Sequence, residues 1–156
     1  MKKNQLKPIQ LDKTKTKELK EILDLSSHHV CAVFASDCVK HIMGKLNSEF
    51  QFDHKGLDAI EAVHRFISGD ITPIEAKAYA QLSHALAHTE EHIELKFFYR
   101  ACGFAAATVH MKKYAIKATY YAIKALSCNK EEDIKDIIEK ERQWQIKHLL
   151  DIGLRA

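Results

Sequence analysis

The sequence predicts an all-α fold, a single bundle of six to seven helices around one central apolar helix at about residues 97–111. Three observations carry that reading. The stretch FFYRACGFAAATVHM, Phe97 to Met111, has no polar face when wound as a helix, and Arg100 is its only full charge. An all-round apolar helix is either a membrane span or the axis of a packed protein, and fifteen residues fall short of the roughly 17–25 a span needs. Only five Gly and two Pro in 156 residues leave little room for a turn-rich β architecture. The remaining segments mostly repeat their apolar residues at helical spacing.

Residues 1–13 are polar, Lys-rich and interrupted by Pro8, which predicts a loosely ordered tail before a single domain over 14–156. Thr14 or Thr16 is placed to cap a short helix to about Leu25, with Leu19, Ile22 and Leu23 on one side. Ser26 and Ser27 offer the next cap, for a helix at about 28–46. Cys31, Phe34, Ala35, Cys38 and Ile42 form its apolar stripe, and Asp37 and His41 lie within reach of each other on its flank. Residues 47–54 read as a loop. At about 55–68 Leu57, Ile60, Val63 and Ile67 face inward while Asp58, Glu61 and Arg65 face outward.

Thr72-Pro73-Ile74-Glu75 is a strong helix start, with a threonine cap, proline at the first position and a glutamate that closes a capping box. The helix runs to about His88. It is expected to bury two sides, Ile74, Ala78, Leu82 and Ala85 on one and Ala76, Ala80, Ser83 and Ala87 on the other. Residues 89–95 read equally as a break or a continuation. Beyond the central helix, a segment at about 113–127 carries a basic ridge of Lys113, Lys117 and Lys124. A last helix at about 131–150 opens on Glu131, Glu132 and Asp133, which favour the positive end of its dipole, and Gly153 lies just past its end.

Charge argues against nucleic acid as a partner. The net +3 resides in residues 1–25, with seven Lys against four acids, while residues 26–156 carry 17 basic and 17 acidic side chains. The four cysteines, Cys31, Cys38, Cys102 and Cys128, make no CxxC pair and read as small hydrophobes in a reducing compartment. No signal peptide or membrane span is evident, so the expected location is cytoplasmic. The motifs of nucleotide binding and of nucleophilic hydrolases are absent, which predicts no enzyme. The ten histidines include the pair His84 and His88 but no HExxH, and neither metal nor cofactor is expected.

The anomaly lies in the last helix. Its apolar face is Ile134, Ile137, Ile138, Trp144, Leu149 and Ile152, yet Glu141, Gln145 and His148 project into the same sector. Buried polar groups need partners, and the candidates on other helices are Asp37, His41, His84 and His110. Two readings stand: a buried network that fixes helix register, or a polar pocket of His, Glu and Gln that binds a metal or a small molecule.

Four segments also carry a resemblance. Ala35-Ser36-Asp37-Cys38-x-x-His41 comes first, followed by Glu75-Ala76 with Ser83-His84-Ala85. Gly103-x-Ala105-Ala106-Ala107-Thr108-x-His110 and Glu141-Arg142-x-Trp144-Gln145 complete the set. In that order and spacing, over about residues 30–150, the chain resembles the Imm-5-like immunity proteins of bacterial polymorphic toxin systems. It departs from them at Phe104, where members often carry His directly after the glycine. The resemblance implies an all-α protein that protects its producer by binding a toxin, with no catalysis. A homo-oligomer is compatible with it. The exposed charges Asp58, Glu61 and Arg65 and the Lys113, Lys117, Lys124 ridge are then the expected partner-facing residues.

Overall fold

In the computed structural model, which describes residues 7–155, the chain forms seven α-helices and no strand among the described residues. They are α1 (Lys13–Leu25), α2 (His28–Met43), α3 (His54–Ile67), α4 (Pro73–Thr89), α5 (Ile93–His110), α6 (Ala115–Ser127) and α7 (Ile134–Arg155). A 3-10 turn, Lys112–Tyr114, joins α5 to α6. Residues 1–6 of the expected tail lie outside the described residues.

The central helix extends from the predicted core in the N-terminal direction, and α5 buries twelve of its eighteen residues, from Ile93 to Val109. Helices α2, α3, α4 and α6 pack around it, while α7 lies against α1, α2 and α6. Small residues set the spacing. Ala76, Ala80, Ser83 and Ala87 bring α4 onto α5, where Ser83 Oγ donates to the Tyr99 carbonyl at 2.8 Å. A methyl group added at Gly56 would fall 2.6 Å from the Tyr99 ring, and one at Gly103 would fall 2.6 Å from the His84 ring. Both glycines are cradles for a facing side chain.

Local chemistry accounts for most boundaries. Ser27 caps α2, and Thr72 with Glu75 closes a full capping box on α4. Asp12, not Thr14 or Thr16, caps α1 by accepting from the Lys15 N–H. Lys112 Nζ donates to the Asp24 and Ser26 carbonyls, and Lys96 Nζ to those of Ala87 and His88. In each case an ammonium group satisfies the orphan carbonyls at a helix C-terminus.

Four further expectations fail. The α4 side made of Ile74, Ala78, Leu82 and Ala85 is exposed, because α3 and α5 share its small-residue side and nothing among the described residues covers the opposite one. Ile74 is 77% and Leu82 49% exposed. Ile67 is exposed and Leu57 only half-buried, since α3 buries Gly56, Ala59 and Ala62 instead, and Tyr99 fills the space above Gly56. Gly153 lies inside α7, which continues to Arg155 rather than ending near 150. Finally, Glu131, Glu132 and Asp133 precede α7 instead of forming its first turn, and Asp133 takes a left-handed φ of 58°.

Candidate functional site

The polar groups of α7 are built against α2 by helical spacing on both sides. Asp37 and His41 are one turn apart on α2, and Glu141, Trp144 and His148 follow at similar intervals on α7. Asp37 and His41 do not touch each other as expected; each reaches across. His41 Nδ1 donates to Glu141 Oε2 at 2.6 Å, and Lys45 Nζ donates to Glu141 Oε1 at 3.1 Å. His148 Nε2 donates to Asp37 Oδ2 at 2.8 Å.

Trp144 lies between the two imidazoles. His41 stacks on it at 3.6 Å between centroids and 1° between planes, and His148 at 4.7 Å and 10°. Glu141 is 1% exposed, whereas the side chains of His41 and His148 are 24% and 26% exposed. The cluster is therefore a latch across the α2–α7 crossing, with a buried carboxylate beneath a ring stack that reaches solvent.

Other candidates lie elsewhere. Gln145 bonds to neither Asp37 nor any of the three histidines; its Nε2 donates to the Thr119 carbonyl at 3.2 Å, and its Oε1 accepts from Arg142 at 2.8 Å. His84 packs edge-on against Phe104 at 4.6 Å over Gly103. Burial, and then the Arg100 charge, push its imidazolium below the ordinary histidine range. His110 is exposed at the end of α5. Among the described residues no group of three or more His, Cys, Asp or Glu is placed to hold a metal ion. Glu141 and Gln145 spend their hydrogen-bonding atoms on partners within the protein.

The charged surface is also rearranged. Asp58, Glu61 and Arg65 are exposed on α3, and Arg65 Nη1 donates to the Tyr79 hydroxyl of α4 at 2.9 Å. Lys113 and Lys117 are exposed, but Lys124 is 7% exposed and breaks the expected ridge. Its stem lies along aromatic rings, with Nζ 4.3 Å from the Phe97 centroid and 5.8 Å from that of Tyr120. Burial lowers its pKa.

One residue escaped the candidate list. Arg142 is 1% exposed and among the largest fully buried side chains. Its Nη1 donates to Thr119 Oγ1 at 3.0 Å and to Gln145 Oε1, while Nε and Nη2 have no partner. Burial pushes its pKa down to about 10. A signal existed: Ile138, Arg142, Gln145 and Leu149 follow i, i+4, i+7, i+11, so Arg142 occupies a stripe position. The four cysteines are free thiols. Cys31, Cys38 and Cys102 are fully buried, and desolvation raises all four pKa values, that of Cys128 to about 12.

No helix among the described residues is long and apolar enough to cross a membrane. Comparison with protein families matches residues 21–152 to the family described as Imm-5 like putative immunity protein. No curated protein and no solved structure matches the chain.

Proposed function

The chain belongs to the Imm-5 like putative immunity protein family, and from that premise we propose that it neutralises a cognate bacterial toxin in the cytoplasm by stoichiometric binding, without turnover. Family membership is the observation that carries the proposal. The surface supports it. On α4, Ile74, Ala78, Leu82 and Ala85 make an exposed apolar stripe, and Arg65 ties the charged face of α3 to this helix through Tyr79. An apolar centre flanked by Asp58, Glu61 and Arg65 has the composition of a binding face, with charge steering the encounter and apolar burial supplying affinity. A standard interface takes about 800 Å² from each partner. That is about a tenth of this chain's 8841 Å².

The two-lysine remnant, Lys113 and Lys117, is the weaker half of the expected partner surface, because Lys124 is withdrawn into the fold. The reading is tested by co-expressing the chain with the toxin encoded beside it. Growth should be rescued, and the two chains should co-purify at a fixed ratio. Leu82→Asp should weaken the complex by about tenfold or more, the equivalent of roughly 1.4 kcal/mol, while leaving the fold intact. Failure to protect against any neighbouring toxin, or turnover of a substrate by the purified chain, overturns the assignment.

A further inference from the structure

Arg142 is a buried cation without an anion. No carboxylate pairs with it among the described residues, and the neighbouring Glu141 is committed to His41 and Lys45. Its Nη1 is fixed by Thr119 and Gln145 on one side, and the Nε–Nη2 edge is unused and itself shut off from solvent. That edge is the one that binds carboxylates and phosphates through two parallel hydrogen bonds.

Arg142 also lines an open groove of about 330 Å³ between α1, α5, α6 and α7. Lys20 and Lys117 are the other charged residues of its wall, and no acid contributes to it. Thr16 lines it too, and its buried Oγ1 likewise has no partner. Phe104 and Tyr121, stacked on each other at 5.5 Å and 11°, contribute aromatic surface to it, and Lys117 Nζ lies 5.4 Å from the Phe104 centroid. Three cations, three unsatisfied donor atoms and aromatic surface are the elements of a small-anion site, and the volume lies within the range of ligand pockets.

We propose that this groove binds a small oxyanion, a carboxylate or phosphate monoester on a flat apolar body, its oxygens reaching the Nε–Nη2 edge of Arg142 once a side-chain movement uncovers that edge and its body lying against Phe104 and Tyr121. The site is separate from the α3–α4 face proposed for the toxin and does not depend on that assignment. Burial of Arg142 lowers its pKa only to about 10, so the guanidinium keeps its charge at neutral pH.

The test uses the full chain at constant ionic strength, titrated with phenyl phosphate, benzoate, inorganic phosphate and phenol and followed by calorimetry. Phenyl phosphate or benzoate should bind one-to-one and saturably, about tenfold or more tighter than phenol or inorganic phosphate, and the tighter of the two identifies the class of oxyanion. In ¹⁵N spectra of the wild-type chain, the Arg142 Nε–H resonance should shift with the same saturation curve. Arg142→Lys keeps the charge but removes the fork, and should weaken binding by about tenfold. Lys117→Gln, an exposed change that leaves the fold intact, should weaken it by about threefold. The proposal fails if no probe saturates, if sulfate produces the same heats, or if the Arg142 resonance stays still while a probe binds elsewhere. Unchanged affinity in both variants would also overturn it. Binding of a glutamate-rich peptide alone would overturn the small-ligand reading in favour of an acidic protein segment.

Discussion

At the scale of single residues, adjacent positions on α7 carry opposite energetic roles. Glu141 is a buried carboxylate with two cationic or ring N–H donors, so Glu141→Ala should cost about 1.5–3 kcal/mol in urea unfolding. Arg142 is a buried cation whose desolvation no carboxylate among the described residues offsets. Arg142→Met should therefore cost less than about 1 kcal/mol or stabilise the chain, as replacement of buried ions by apolar groups often does. A large loss on Arg142→Met would make the arginine a structural strut. His84 gives a pH dependence. Its folded-state pKa lies below the ordinary 6.5, so the unfolded chain takes up the proton first as pH falls. Stability present above that value is therefore lost on acidification through the folded-state pKa. Between roughly pH 7.5 and 5.5 the wild type should lose more stability than His84→Gln, as read from paired denaturation curves.

At the scale of helices, two glycines separate tight contacts of different kinds. At Gly56 the facing group is Tyr99, 1% exposed and held by the Asp53 N–H, which donates to its hydroxyl at 2.8 Å. That ring has no free space, and Gly56→Ala should cost about 1–3 kcal/mol through overpacking. At Gly103 the facing group is the half-buried His84 ring, which can turn outward. Gly103→Ala should cost less than Gly56→Ala and should shift the His84 ring resonances, because the imidazole leaves Phe104. Equal costs at the two positions would mean that His84 is as firmly held as Tyr99. The latch between α2 and α7 follows the same logic of exposure. His148→Phe keeps a ring on Trp144 and loses an ion pair whose side chains are 26% exposed, so its cost should be about 1 kcal/mol.

At the scale of the molecule, α5 serves four neighbours and leaves the outer side of α4 uncovered. Large apolar side chains exposed in a row are a liability in a monomer unless a partner covers them. The surface proposed for a partner and the site proposed for a small anion lie in different parts of the fold: the first on α3 and α4, the second among α1, α5, α6 and α7. Toxin affinity measured with and without phenyl phosphate tests whether the two are coupled. Equal affinities mean independent sites, and a difference gives the coupling free energy directly.

The sequence by itself determined the fold class and most element boundaries, because helical periodicity and capping are local. The apolar run at 97–111 made α5 the axis, and Thr72-Pro73-Ile74-Glu75 started α4 where the capping box forms. It also marked α7 as anomalous, since Glu141 and Gln145 stand where apolar residues belong. Only the tertiary structure decided which sectors were covered and which polar groups met. The periodicity of α4 fits two buried sides equally well, and the placement of α3 and α5 together on its small side leaves Ile74 and Leu82 in water. Lys124 reads as a surface charge until Phe97 and Tyr120 are seen beneath it. The pairs His41–Glu141 and His148–Asp37 join residues 100 and 111 positions apart, and the depth of Arg142 depends on how α7 is rotated against α6. Periodicity specifies a helix and its candidate faces, whereas the rotation of one helix against another is fixed by packing between distant segments.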